Sequence, residues 1–189
     1  WNYRAEDGGG IVLDMFPHWA YVLENLFGRV EAVTARAVTH IGERVDEHGR
    51  RYKVTADDAA YAIFEVAGGV IAQINSSWAV RVNRDELVEF QVDGTHGSAV
   101  AGLRGCRIQH RAGTPMPVWN PDLPVTEPFR EQWQEVPDNA EFGNGFKTQW
   151  EMFVRHVVED APFPYDLASG ARGVQIAELG LRSSAQGVR

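Results

Sequence analysis

Apolar residues at helical spacing open the chain. Between Gly10 and Gly28, Leu13, Phe16, Trp19, Leu23 and Leu26 recur every three or four positions and form one stripe of a helix. Asp14, His18, Tyr21 and Asn25 form a second stripe, with the carboxylate and the imidazole four residues apart on one face. Gly8-Gly9-Gly10 precede the helix and free the backbone for a tight turn, and Gly28 closes it. Pro17 admits two starts. If the helix begins at Gly10, the proline lies inside it and removes an amide donor; if Asp14 is the N-cap, the proline falls in the first turn, where it is tolerated.

The pattern then changes period. Val30 to Ile41 is rich in β-branched residues with a loose alternation, which predicts a strand, and a turn at Asp46-Glu47-His48-Gly49 leads to a short return at Tyr52 to Thr55. Ala59–Val66 and Val70–Trp78, joined by Ala67-Gly68-Gly69, predict a β-hairpin whose second strand points Ala72, Ile74 and Ser76 one way and Gln73, Asn75 and Ser77 the other. Glu86–Val92, Ser98–Leu103 and Cys106–His110 read as further antiparallel strands. Residues 112–137 hold six of the nine prolines and are expected to run over the surface as neither strand nor helix. Helical spacing returns from Asn144 or Gly145 to Asp160, with Phe146, Trp150, Phe153, Val154 and Val157 facing a core. Asp166 then caps a last helix along Leu167, Ala171, Val174, Ala177 or Glu178, and Leu181. The order of elements predicts an α+β fold: an open, largely antiparallel β-sheet with helices packed on one face. Residues 1–189 are expected to form a single domain.

Composition narrows the partners. A chain of 189 residues with 44% hydrophobic and 23% charged positions is ordinary globular material. A net charge of -8, without blocks of like charge, disfavours nucleic acid and favours a small uncharged ligand. No apolar run reaches the length of a membrane span, and the single Cys106 fits a reducing cytoplasm. The start at Trp1 suggests a fragment. There is no G-x-G-x-x-G loop after a strand and no phosphate-binding P-loop, so no dinucleotide site is expected within the chain itself.

The candidate chemistry is proton transfer by His18, with Asp14 beside it to orient the ring and stabilise the imidazolium. Tyr3, Arg4, Tyr21, Trp78, Arg81 and Tyr165 are candidates to stack on or hydrogen-bond a sugar. The six histidines show no metal-binding spacing, and no metal site is expected. Ser76-Ser77 lacks the setting of a nucleophile elbow.

Four segments taken together resemble the C-terminal domain of the glucose–fructose oxidoreductase, inositol dehydrogenase and rhizopine catabolism family. They are Gly8-Gly9-Gly10 with Asp14 and His18, the run from Thr55 through Asp57-Asp58 to Trp78, Gln91 to Ser98, and the closing helix through Arg182-Ser183-Ser184. The resemblance implies a two-domain enzyme. An N-terminal Rossmann domain outside this chain would bind NAD or NADP, and this domain would supply the substrate face. In that family the residue matched by His18 is the acid/base, that matched by Asp14 assists it, and a lysine of the nucleotide domain completes the set. The family usually has a strand before the glycine triplet, and Pro17 stands where a small or apolar residue is commoner. The expectation is a dehydrogenase acting on a secondary alcohol of a sugar, cyclitol or glycoside, assembled as a homo-oligomer through the open sheet face, with the fragment alone inactive. An NAD-dependent glycosidase or isomerase on the same scaffold, or a non-catalytic sugar or nucleotide sensor, are the alternatives.

Overall fold

A computed structural model describes residues 2–80, 82, 84–114, 120–124, 128–137 and 143–188. In chain order the elements are helix α1 (Ile11–Leu26) and strands β1 (Val30–Val38), β2 (Glu43–Val45), β3 (Arg51–Lys53), β4 (Ala59–Val66) and β5 (Val70–Ser77). Strands β6 (Phe90–Gly94), β7 (Gly97–Ala101), β8 (Cys106–His110) and β9 (Gln134–Glu135) follow, then helices α2 (Gly145–Glu159) and α3 (Leu167–Gln186). The chain divides into two compact units, Trp1–Arg81 with His156–Arg189, and Val82–Arg155.

The first unit is built on an antiparallel sheet in the order β1-β4-β5. Phe64 lies between Val33 and Ala72, and Ala62 between Ala35 and Ile74, so one face is apolar and packs beneath α1 and α3. The other face, with Thr34, Tyr61, Ile63, Gln73 and Asn75, is exposed. This is the α+β arrangement that the alternation predicts.

Helix α1 starts directly after Gly10, with Pro17 inside it. Its buried row is Ile11, Val12, Phe16, Ala20 and Leu23, while Leu13 and Trp19 pack at the margin and Leu26 is 64% exposed. The expected stripe is therefore rotated toward Val12 and Ala20, and α3 supplies the reason. A side-chain carbon added at Gly173 would lie 3.2 Å from Cβ of Pro17, and one at Gly180 would lie 2.6 Å from the Phe16 ring. The two helices meet backbone against ring, which only small residues permit. In α3 the row expected to be buried is corrected for the same reason. Gly173, Ile176, Ala177, Gly180 and Ser183 are buried, whereas Leu167 is 94% and Val174 60% exposed. The predicted N-cap is present, with Asp166 accepting from the Ser169 amide at 2.8 Å.

Strand β1 is an edge, and α3 covers it with polar side chains. Ser183 Oγ accepts from the Ala35 amide at 3.0 Å, Ser184 Oγ from Ala37 at 2.8 Å, and the Arg172 guanidinium donates to the Val30 carbonyl at 2.7 Å. The strand ends at Val38 rather than at Ile41, because the amides of His40 and Ile41 turn to the Asp58 carboxylate, at 2.7 and 3.0 Å. Strands β2 and β3 form a separate hairpin whose turn is held by Asp46, which accepts from the amides of His48 and Arg50.

The second unit is a meander, β6-β7-β8-β9. Here the expectation for residues 112–137 is corrected, since Gln134 and Glu135 return along the free side of β8, opposite Ile108 and Arg107, as a short strand. Helix α2 forms where its period predicts, but it buries none of its residues, and Trp150 is 67% exposed. Periodicity fixes an amphipathic helix without naming the surface it meets.

Asp58, fully buried, is the hub of the first unit. Besides the two amides it accepts from the Arg44 guanidinium at 3.3 Å; its own amide donates to the Val38 carbonyl, and its carbonyl accepts from Trp78. Burial pushes its pKa up, but the two amides and Arg44 outweigh it, and the carboxyl is held below the ordinary carboxylate range. Because the folded value is depressed, the stability it contributes is present at neutral pH and is lost as pH falls below about 4. Asp58→Asn is expected to cost about 3 kcal/mol at pH 7 in denaturant titration. The same titration repeated at falling pH should show the variant losing less stability than the natural chain.

Candidate active site on helix α1

A helix whose N-cap is glycine lacks a local side chain for its first amides, and α1 makes none at Gly10. The cap comes instead from the loop before β4. Asp57 Oδ2 accepts from the Val12 amide at 2.8 Å, and the Asp57 carbonyl accepts from Ile11 at 3.0 Å. The triplet allows this approach: Gly10 has φ +128°, and a Cβ there would sit 2.6 Å from Asp57 Oδ1. Burial raises the Asp57 carboxyl above its ordinary value, against the amides of Val12 and Ile11 that favour its charged form. The Gly10 amide is taken by the Asn2 carbonyl at 3.0 Å. The amides of Gly10, Ile11 and Val12 are thus bound within the chain.

The face of α1 opposite the Phe16 row carries Asp14, His18, Tyr21 and Asn25, as the spacing predicts. Asp14 is half-buried and His18 exposed. Among the described residues neither side chain makes a hydrogen bond or an ion pair, so the helix delivers the two groups one turn apart with their polar atoms uncommitted. No hydrogen bond joins the Asp14 carboxylate to the His18 ring. On the same face Tyr21 meets the edge of Tyr165, with ring centroids 6.0 Å apart. Tyr165 in turn meets Phe163 at 5.9 Å, and Phe163 stacks on His156, whose Nδ1 is 2.7 Å from the Ala161 carbonyl.

The other candidates fall in a different place. Tyr3 lies beneath the Arg44 guanidinium at 3.8 Å and against Trp78 at 5.7 Å, and Arg4 sits over the Tyr52 ring at 5.0 Å. Together with Thr55, whose hydroxyl accepts from the Ala5 amide and donates to Glu6, they fasten residues 2–10 to the loop before β4. Their partners are protein groups, which marks them as clamps on the leading segment. Arg81 lies outside the described residues. The spacing of single residues gave no sign of Asp57, Asp58 and Arg44, because each acts across the fold. The described residues contain no group of three or more His, Cys, Asp or Glu side chains able to hold a metal ion, and no described helix is long and apolar enough to cross a membrane.

Comparison with known proteins agrees with this architecture. Residues 1–100 match the family model of the GFO/IDH/MocA C-terminal domain, and the chain belongs to that family. A D-xylose dehydrogenase of Paenarthrobacter nicotinovorans is 67% identical to it, over 97% of this chain and 48% of the relative. Among solved structures, levoglucosan dehydrogenase in complex with NADH and levoglucosan superposes with a TM-score of 0.74 at 20% identity, covering 100% of this chain and 52% of that one. An oxidoreductase domain protein from Kribbella flavida gives 0.71 at 18% identity, covering 95% and 49%. At these identities the two structures speak for the fold. The chain spans about half the length of the curated relative it matches.

Proposed function

We propose that this chain is the substrate-side domain of an NAD(P)-dependent dehydrogenase that oxidises a secondary alcohol of a sugar. The observation that carries the reading is the outer face of α1, where Asp14 and His18 stand one turn apart beside the Tyr21–Tyr165 pair, neither of the two side chains bonded to another described residue. The family assignment and the 67% identity to a D-xylose dehydrogenase support it and make D-xylose the first aldose to try. NAD or NADP would be held by a nucleotide-binding domain outside this chain and would accept the hydride.

The residues of this chain do the proton work. His18, exposed on a helix that is itself fixed to the sheet, takes the hydroxyl proton as the carbonyl forms, which avoids a free alkoxide. Asp14 places negative charge one turn away and favours the imidazolium that results. Tyr21 and Tyr165 offer ring faces and hydroxyls suited to the apolar and polar sides of a pyranose. The exposed sheet face bearing Tyr61, Ile63 and Ile71 is the proposed contact with a second copy, and Ile63→Glu is expected to shift the full-length protein toward a smaller species in sedimentation velocity.

In the full-length protein, His18→Ala is expected to lower kcat for sugar oxidation by about a hundredfold or more, read as the rate of nicotinamide reduction. Turnover at the natural rate in that variant would refute the assignment. Net formation of reduced cofactor separates a dehydrogenase from a glycosidase or isomerase that returns the hydride.

A further inference from the structure

The geometry points to Asp57 as the positioning residue of the acid/base pair: held to the sheet through Asp58, its carboxylate and carbonyl set where α1 begins and so where Asp14 and His18 stand. This rests on the proposed role of His18. The starting observation is that the cap of α1 is not local. Gly10 supplies no side-chain cap, and the acceptor for the Val12 amide lies 45 positions away in sequence. A local cap travels with its helix, whereas a cap mounted on another element fixes the helix to that element.

Asp57 is mounted rigidly on both sides. The Ala56 amide before it donates to the Tyr3 carbonyl at 3.3 Å. After it, Asp58 is tied by three donors to its carboxylate and by backbone bonds to Val38 and Trp78, which join it to the ends of β1 and β5. Two acceptors of the one residue, Oδ2 and the carbonyl oxygen, take the successive amides of Val12 and Ile11. Two adjacent donors bound to one rigid group fix both the rotation of the first turn and its height along the axis. The fit is close, since the Asp57 carboxylate occupies the space of a Cβ at Gly10.

The path to the reacting groups is short. The Asp14 amide donates to the Gly10 carbonyl at 3.1 Å, so Asp14 belongs to the first turn that Asp57 holds, and His18 follows on the next rung of the helical ladder. A turn that drops or rotates by about an ångström carries both groups with it, and misplacement of that size costs about a hundredfold in rate. A cap that merely stabilised the helix would leave the rate untouched once the protein is folded.

The test uses the full-length protein with NAD or NADP and D-xylose as probes, and three variants at position 57. Asp57→Ala removes the side-chain acceptor of the Val12 amide and is expected to lower kcat by about a hundredfold while KM for the sugar moves by less than about threefold. Asp57→Asn keeps an oxygen for the Val12 amide and should retain most of kcat. Asp57→Glu keeps the charge but is one methylene too long for the space at Gly10, and should fold yet turn over slowly; it carries the test if Asp57→Ala does not fold. Ile176→Val, on α3 in the apolar core between helices and sheet and distant in sequence from the cap, serves as the stability control and should lower Tm without changing kcat.

The proposal is overturned if Asp57→Ala or Asp57→Glu keeps the natural kcat, if Asp57→Asn is as slow as Asp57→Ala, or if Ile176→Val loses kcat in step with its Tm. His18→Ala measured alongside separates the two readings. An inactive His18→Ala with a fully active Asp57→Ala overturns the positioning role alone, and an active His18→Ala overturns the functional assignment beneath it.

Discussion

The contact between Asp57 and the first turn of α1 is the constraint on which the arrangement of this unit depends. A sheet strand and a helix normally meet through apolar side chains, an attraction that is non-directional. Here the loop leading into β4 also reaches the exposed amides of the helix, so one end of α1 is pinned by directional bonds to the same residues that start the central strand. The energetic cost of taking a carboxylate out of water is opposed only in part by the amide donors at Asp57, and is outweighed at the neighbouring Asp58 by two amides and a guanidinium.

The rest of the unit is arranged around that pin. With its N-terminus fixed, α1 lays Val12, Phe16, Ala20 and Leu23 on the sheet, and Phe16 meets Phe64 edge-on with ring centroids 5.3 Å apart. Helix α3 then closes on the other side, at a distance set by Gly173 and Gly180 rather than by large side chains. Having come that close, it brings Ser183, Ser184 and Arg172 to the edge of β1, so a strand edge that would otherwise invite pairing is satisfied within the chain. Ser183 also donates to the Val188 carbonyl and ties the last residues back. The face of α1 turned away from all this packing is the one that bears Asp14 and His18.

Much of this was legible from the residues in order. The alternation in Ala59–Val66 and Val70–Ser77 specifies the hairpin and its inner face, and the four-residue spacing of Asp14 and His18 specifies their common face, because both depend only on local periods. What could not be read locally is of one kind. The start of α1 at Gly10, despite Pro17, depends on a carboxylate that arrives from residue 57, and the end of β1 at Val38 depends on one from residue 58. The buried row of α3 depends on how near another helix can come, which is why Gly173 and Gly180 are inside while Leu167 and Val174 are outside. For α2 the period gave the helix, but nothing in five apolar residues says what they should touch.

The central claim is that Asp57 holds the first turn of α1, and hydrogen exchange at the amides of Ile11 and Val12 in the full-length protein tests it most directly. Protection of both amides close to that of the β4 core, lost at Val12 in Asp57→Ala while the Ala35 amide stays protected by Ser183, is the result expected from the geometry. Exchange of Ile11 and Val12 at the rate of an open loop in the natural protein would contradict it.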